Sequence, residues 1–167
     1  MTSPLVLSID AMGGDDAPKI VVDGVAQFLK GRKRAVKLIL HGDEAQIAPL
    51  VAAHEGLADA CEIRHSDSEV DMSAKPSEAV RRARGSSMWN AVLSVKEGEA
   101  HVAVSAGNTG ALMAISKVVL RMKKGVHRPA IAASWPAPQG FSTVLDVGAN
   151  VDCSPSQLVE FAVLGEA

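Results

Sequence analysis

Four short stretches of this 167-residue chain gather the residue types that hold anions and stabilise developing charge. The foremost is Ser105-Ala-Gly-Asn-Thr-Gly110, between a short apolar run and a strongly apolar helical segment. Gly107 and Gly110 let the main chain come close to a ligand, and Ser105 adds a hydroxyl. Asn108 or Thr109 can cap the following helix, whose free N–H groups then face outward and favour an anion. No Lys follows the second glycine, so this is not a Walker loop. The same glycines also suit an ordinary tight turn, and this loop alone leaves both readings open.

Asp10-Ala-Met-Gly-Gly-Asp-Asp16 places three carboxylates near Gly13 and Gly14. They repel a pyrophosphate, and G-x-G-x-x-G is absent, which argues against a nicotinamide cofactor; no cofactor is expected. Asp10 suits the orienting of a cation or polar group, whereas Asp15 and Asp16 suit a helix N-terminus. In Lys75-Pro-Ser-Glu-Ala-Val-Arg81, a cation at a helix start opposes the dipole unless an anion lies between. Arg81 falls one turn beyond Ser77 on the same face, so Lys75, Ser77 and Arg81 together would suit phosphate. Arg82 and Arg84 read as solvated surface. In Leu145-Asp-Val-Gly-Ala-Asn-Val-Asp152, Asp146 ends an apolar run as Asp10 does, and Asn150 offers a neutral donor for an oxyanion. An Asx-rich turn is the competing reading there, and it fits Asp152 best.

These loops must be carried by regular elements. Short apolar runs at Leu5–Ile9, Val36–Leu40 and Val102–Val104, with a weaker one at Cys61–Arg64, read as strands buried on both faces. Ala130–Ser134 and Ser142–Leu145 read as two more, joined by a Pro-Ala-Pro-Gln-Gly turn. Pro18 opens a helix with an apolar face of Ile20, Val21, Val25, Phe28 and Leu29. Asp43 opens a second, to about Ala53. Pro76 opens a third, to about Glu97, interrupted near Gly85-Ser86-Ser87. A fourth runs from Thr109 to about Met122, apolar nearly all round and so expected to be buried. Ser154-Pro155 caps the last, through Phe161 and Leu164. The alternation predicts an α/β fold with a mainly parallel, doubly wound sheet, all 167 residues forming one portion of a single domain. In such sheets ligands gather beyond the strands' carboxyl ends, where all four loops belong. The last helix's apolar face meets no further chain to cover it, so the N-terminal part of a longer protein is expected.

Composition narrows the function. A net charge of −2 with 3% aromatics and no Tyr gives no reason to expect nucleic acid. The basic run Gly31-Arg32-Lys33-Arg34 reads as a solvated loop. Cys61 and Cys153 read as small packed side chains, and the five histidines are too scattered for a triad or a metal cluster, so no metal is expected. The N-terminus lacks signal-peptide features and no apolar run approaches the ~20 residues of a membrane span, which reads as cytoplasmic.

Taken in order, Ile9-Asp-Ala-Met-Gly-Gly-Asp15, Lys75-Pro-Ser-Glu-Ala79, Ser105-Ala-Gly-Asn-Thr-Gly-Ala111 and Leu145-Asp-Val-Gly-Ala-Asn-Val-Asp-Cys153 closely resemble the phosphate acyltransferase (PlsX) family of bacterial phospholipid synthesis. The resemblance implies an isocitrate/isopropylmalate dehydrogenase-like fold. It also implies transfer of an acyl group from acyl carrier protein to inorganic phosphate, which releases an acyl phosphate. It further implies a homodimer, peripheral contact with the membrane and a downstream membrane glycerol-3-phosphate acyltransferase. On that reading Lys75, Ser77 and the N–H groups around Gly107–Gly110 hold phosphate, Asn108 or Asn150 serves the oxyanion, and Asp10 and Asp146 orient the cations. A related enzyme drawing acyl groups from coenzyme A, and a fragment that only binds phosphate or carrier protein, remain open.

Overall fold

The computed structural model describes residues 4–31, 35–148, 150 and 152–166. The basic run Arg32–Arg34 lies outside the described residues, as do Ala149 and Val151 of the fourth loop. The chain falls into two compact units, Met1–Leu120 and Arg121–Ala167.

The first unit runs β1 (Leu5–Asp10), α1 (Lys19–Leu29), β2 (Val36–Gly42), α2 (Glu44–Ala52), α3 (Leu57–Ala60), β3 (Cys61–His65), α4 (Pro76–Arg82), α5 (Ser87–Lys96), β4 (Val102–Val104) and α6 (Thr109–Leu120). Its four strands pair in parallel in the order β3-β2-β1-β4. Alternation across the pleat sends Ile9, Leu38 and Leu40 into one core with Val22, Val25, Ile47 and Val51 of α1 and α2. The opposite parity, Ser8 and His41, meets Ser94 of α5. Met88, Val92, Ala111, Ile115 and Val119 of α5 and α6 form a second core. Helices therefore pack on both faces, as the βαβ alternation predicts.

Capping chemistry sets several boundaries. Asp43 accepts from the Ala45 N–H at 3.0 Å and so begins α2, and Ser86 accepts from the Trp89 N–H at 3.2 Å and so begins α5. The expected interruption near Gly85 is a full break between α4 and α5, with Gly85 in the left-handed region at φ 83°.

Two expectations change and one element is added. The buried face of α1 keeps Val25, with Val21 and Leu29 packed against the core, but adds Val22 and Ala26 and leaves Ile20 56% exposed. The short α3 follows no apolar pattern legible in four residues. α6 is not buried all round: Ala111, Ile115 and Val119 are inside, but Val118 and Leu120 are exposed.

The second unit contains β5 (Ala132–Ala137), β6 (Gly140–Leu145) and α7 (Pro155–Glu166). Both strands are longer than the apolar runs suggest, and they pair antiparallel as a separate hairpin. Trp135, Pro136 and Ala137 join β5, so the turn shrinks to Pro138-Gln139. Ser154 begins α7 with a reciprocal cap: its carbonyl accepts from Gln157 N at 3.0 Å, and its own N–H donates to Gln157 Oε1 at 2.8 Å. Only Phe161 among this unit's described apolar residues is buried, and Leu158, Val159 and Val163 of α7 are exposed, as the uncovered last helix predicts.

Candidate functional site

In the first unit two sequence-distant loops close on one another at the carboxyl ends of β1 and β4. Asp10, 2% exposed, is the last residue of β1. Its Oδ1 accepts from the Met12 N–H at 3.3 Å, and its Oδ2 accepts from the Ser105 hydroxyl at 2.7 Å. Ser105 Oγ in turn accepts from the Gly107 N–H at 3.0 Å. A relay therefore runs from a loop amide through a hydroxyl to a buried carboxylate, and it fixes the rotamer of Ser105. Bonds to a charged acceptor are worth about 1.5–3 kcal/mol each, which is how the structure tolerates the buried Asp10.

Gly13 is the keystone. A Cβ built there would lie 2.5 Å from Asp10 Oδ2 and 2.9 Å from both Gly107 N and Ser105 Oγ, so no side chain fits. Gly14 passes beside the Ala106 main chain. Asp10, Gly13, Ser105 and Gly107, chosen separately from the sequence, thus form one contact cluster.

Asn108 pins this cluster to a third loop. Its Nδ2 donates to the carbonyls of Met72 at 2.8 Å and Ala74 at 2.9 Å, while its Oδ1 accepts from the Ala111 N–H at 2.9 Å. The Asn108 carbonyl receives the Leu112 N–H, so Asn108 and not Thr109 caps α6. Both amide hydrogens of Asn108 are spent on carbonyls, which leaves none for an oxyanion in this conformation. In this structure the amide of Asn108 ties the glycine loop to the Met72–Ala74 segment. The main-chain N–H groups of Asn108, Thr109 and Gly110 have no partner among the described residues. They open a 12-residue helix and so carry its positive end.

The third loop enters through Pro76, whose Cγ would lie 2.8 Å from a Cβ on Gly110. Lys75, the N-cap of α4, stands between Pro76 and Ala74, both of which touch the glycine loop. Lys75, Ser77 and Arg81 are exposed, and their side chains have no hydrogen-bond or ion-pair partner among the described residues. No contact brings Arg81 to the loop.

Asp146 and Asn150 belong to the second unit and make a knot of their own. Asp146, at φ 61°, accepts on Oδ1 from Asn150 N at 3.1 Å and Asn150 Nδ2 at 2.7 Å; its Oδ2 receives the Cys153 thiol at 3.3 Å. Asn150 Nδ2 also donates to Pro129 O at 3.2 Å, so its amide, like that of Asn108, is committed to structure here. Desolvation and then the Asp146 hydrogen bond raise the Cys153 thiol above its ordinary pKa.

One buried group went unread in the sequence. His41 is 2% exposed, with Nε2 2.9 Å from Ser8 Oγ and 3.3 Å from Ser94 Oγ, and Nδ1 without a partner among the described residues. Burial first, and then the nearby Arg64 charge, push its pKa down to about 4. Arg64 itself is held by Glu62 and Glu99. His41 directly follows the apolar run Val36–Leu40, and the structure extends β2 through it opposite Asp10, but a one-strand pattern cannot show which hydroxyls meet it. Among the described residues no group of three or more His, Cys, Asp or Glu could hold a metal ion, and no helix is long and apolar enough to cross a membrane.

The first unit is thus a parallel α/β unit whose loop–helix junction at a sheet edge leaves three main-chain N–H groups unpartnered among the described residues. The chain belongs to the family described as fatty acid synthesis protein, whose model matches residues 5–167, the family that the four motifs point to. It is 62% identical over 168 residues to a phosphate acyltransferase of Maricaulis maris, covering 100% of this chain and 48% of that protein. Phosphate acyltransferases of Phenylobacterium zucineum and Caulobacter vibrioides are 55% and 56% identical, again over 100% of this chain and 47% and 46% of theirs. The chain therefore spans about half the length of these relatives.

Proposed function

We propose that this chain supplies the phosphate-holding part of a phosphate acyltransferase that converts acyl-[acyl carrier protein] and inorganic phosphate into acyl phosphate and free carrier protein. The observation that carries this is the set of unpartnered N–H groups on Asn108, Thr109 and Gly110, held rigid by the Asp10–Ser105–Gly107 relay. Relatives 62% and 55% identical to this chain bear the name phosphate acyltransferase, which supports the reading.

In the reaction a phosphate oxygen attacks the thioester carbonyl carbon, the tetrahedral oxyanion collapses, and the carbon–sulfur bond breaks with the electron pair leaving on sulfur. A thiolate leaves readily at an ordinary pKa of ~8.5, so no catalytic histidine is required. The protein's task is positioning, worth at best ~7–11 kcal/mol, together with charge stabilisation, worth ~3–4 kcal/mol per well-aimed donor. The loop amides, Thr109, Lys75 and Ser77 hold the phosphate, and Arg81 adds cationic field. Asp10 acts through Ser105, keeping the loop in the conformation that aims its amides. With Asn108 and Asn150 committed to carbonyls and carboxylate, the oxyanion falls to main-chain N–H groups. Asp146 shapes its own loop.

The rest of the reading follows from the same family: a dehydrogenase-like fold for the whole protein, a cytoplasmic homodimer with peripheral membrane contact, and delivery of acyl phosphate to a membrane glycerol-3-phosphate acyltransferase. The test is acyl-phosphate formation by the full polypeptide from acyl carrier protein thioester and phosphate. Lys75→Ala is expected to raise the Michaelis constant for phosphate roughly tenfold or more, the value of one charge-assisted contact. Unchanged KM and turnover would remove Lys75 from the cradle.

A further inference from the structure

The first unit holds an apolar groove that the phosphate chemistry does not use. Across the β1–β4 pair, Leu7 faces Val102 and Ile9 faces Val104 in register, so one face of the pair presents a continuous apolar stripe. α1 runs beside the stripe, and between them lies a cavity of about 420 Å³ lined by Leu7, Ile9, Ile20, Val21, Phe28 and Val104. The size is that of a small-molecule site. The exposure of Ile20 at 56% and Val104 at 45% means the described fold leaves this surface uncovered.

Two features separate the groove from a simple gap in packing. Its lining includes Asp10, Ser105 and Ala106, the residues at the carboxyl ends of β1 and β4 that lead into the loop with the unpartnered amides. Its wall also contains Gly24, at the middle of α1, where an added Cβ would meet nothing within 4 Å. A glycine in a helix interior weakens the helix. Here no turn or close backbone approach requires it, and what its missing side chain provides is width.

We infer that this groove receives the fatty acyl chain of the substrate, with the thioester carbonyl at the Ser105 end and the methyl end beside Gly24 and Phe28. The inference rests on the phosphate acyltransferase reading, because that reaction needs an apolar chain and an anion brought to one point. An extended chain entering beside Ser105 meets apolar side chains along the whole stripe, and its burial supplies binding energy remote from the reacting carbon.

The experiment uses the full polypeptide and has two arms. In the first, Gly24→Phe is assayed with hexadecanoyl and butanoyl thioesters of acyl carrier protein, beside Gly24→Ala as a milder filling. The ratio of kcat/KM for the long chain over the short one is expected to fall roughly tenfold or more in Gly24→Phe, and less in Gly24→Ala, as steric filling of a methylene pocket predicts. A ratio unchanged in both variants overturns the inference. In the second, the unaltered protein is irradiated with a hexadecanoyl thioester that carries a terminal diazirine. Labelling of the segment from Ile20 to Phe28 is expected. Labelling confined to other segments, with this groove protected from hydrogen exchange by another part of the polypeptide, overturns it. If no acyl phosphate forms from any chain length while α1 is still labelled, the reaction assignment fails and the acyl groove stands.

Discussion

Two aspartates close the two loops richest in chemistry, and the structure treats them differently. Asp10 ends a parallel strand with sheet on both sides of it and helices on both faces, and its carboxylate is buried. Asp146 follows a two-stranded antiparallel hairpin and is only half-buried, with exposed apolar side chains near it in sequence. The Asp10 carboxylate reaches 95 residues along the chain to Ser105, whereas the Asp146 carboxylate reaches no further than Cys153. The same residue type at a strand end thus makes a long-range clamp in one unit and a local loop knot in the other. A carboxylate acts on a distant loop only where the surrounding sheet has already excluded water and brought that loop within reach.

The comparison can be broken at four points. Acid should strike the first unit hardest. Folded His41 titrates near 4 against about 6.5 when unfolded, so the unfolded chain binds more protons between those values. Stability present above pH 6.5 is then lost as pH falls toward 4, by about 3 kcal/mol. Urea denaturation across that window should show this slope, and His41→Asn should flatten it.

Next in size is Gly13→Ala, whose methyl must displace a carboxylate and a main-chain amide; the loss should be about 2–3 kcal/mol. Its counterpart Gly148→Ala meets no neighbour and carries only the strain of φ 90°, for about 1 kcal/mol. Equal losses in a denaturation series would mean that the two loops are built alike.

Asn108→Ala removes the cap of α6 and frees two carbonyls, for about 1–2 kcal/mol. Asn108→Asp should retain the cap and lose the tie to Met72 and Ala74, so hydrogen exchange should rise in residues 70–75 while α6 stays protected. Smallest is the Cys153 thiol. Its pKa is raised, so alkylation near neutral pH should be slower than for a free thiol, and Asp146→Asn should speed it.

Much of the first unit was readable because its determinants are local. Apolar runs placed β1, β2 and β4; Asp43 announced α2 through its bond to the Ala45 N–H two positions on, and Pro76 announced α4 through its fixed backbone angle. The four loops could be chosen by residue type for the same reason. What failed was whatever depends on a partner far along the chain. On α1 the expected Val21, Val25 and Leu29 do pack on the core, but Val22 and Ala26 join them and Ile20 does not, because the side that packs is set by β1 and β2 and not by the helix's own apolar count.

The sequence by itself determined that this is an α/β chain with Asp10, Gly13, Ser105, Gly107 and Asn108 in chemically apt loops, since strand period, glycine and capping preferences act within a few residues. Only the tertiary structure decided what those residues do. It joined Asp10 to Ser105, spent the amide of Asn108 on the Met72 and Ala74 carbonyls, and left the main-chain N–H groups of Asn108, Thr109 and Gly110 without a partner among the described residues. Hydrogen-bond partners separated by tens of residues are fixed by strand order and packing, and no local pattern encodes which donor is left over when the others have been paired.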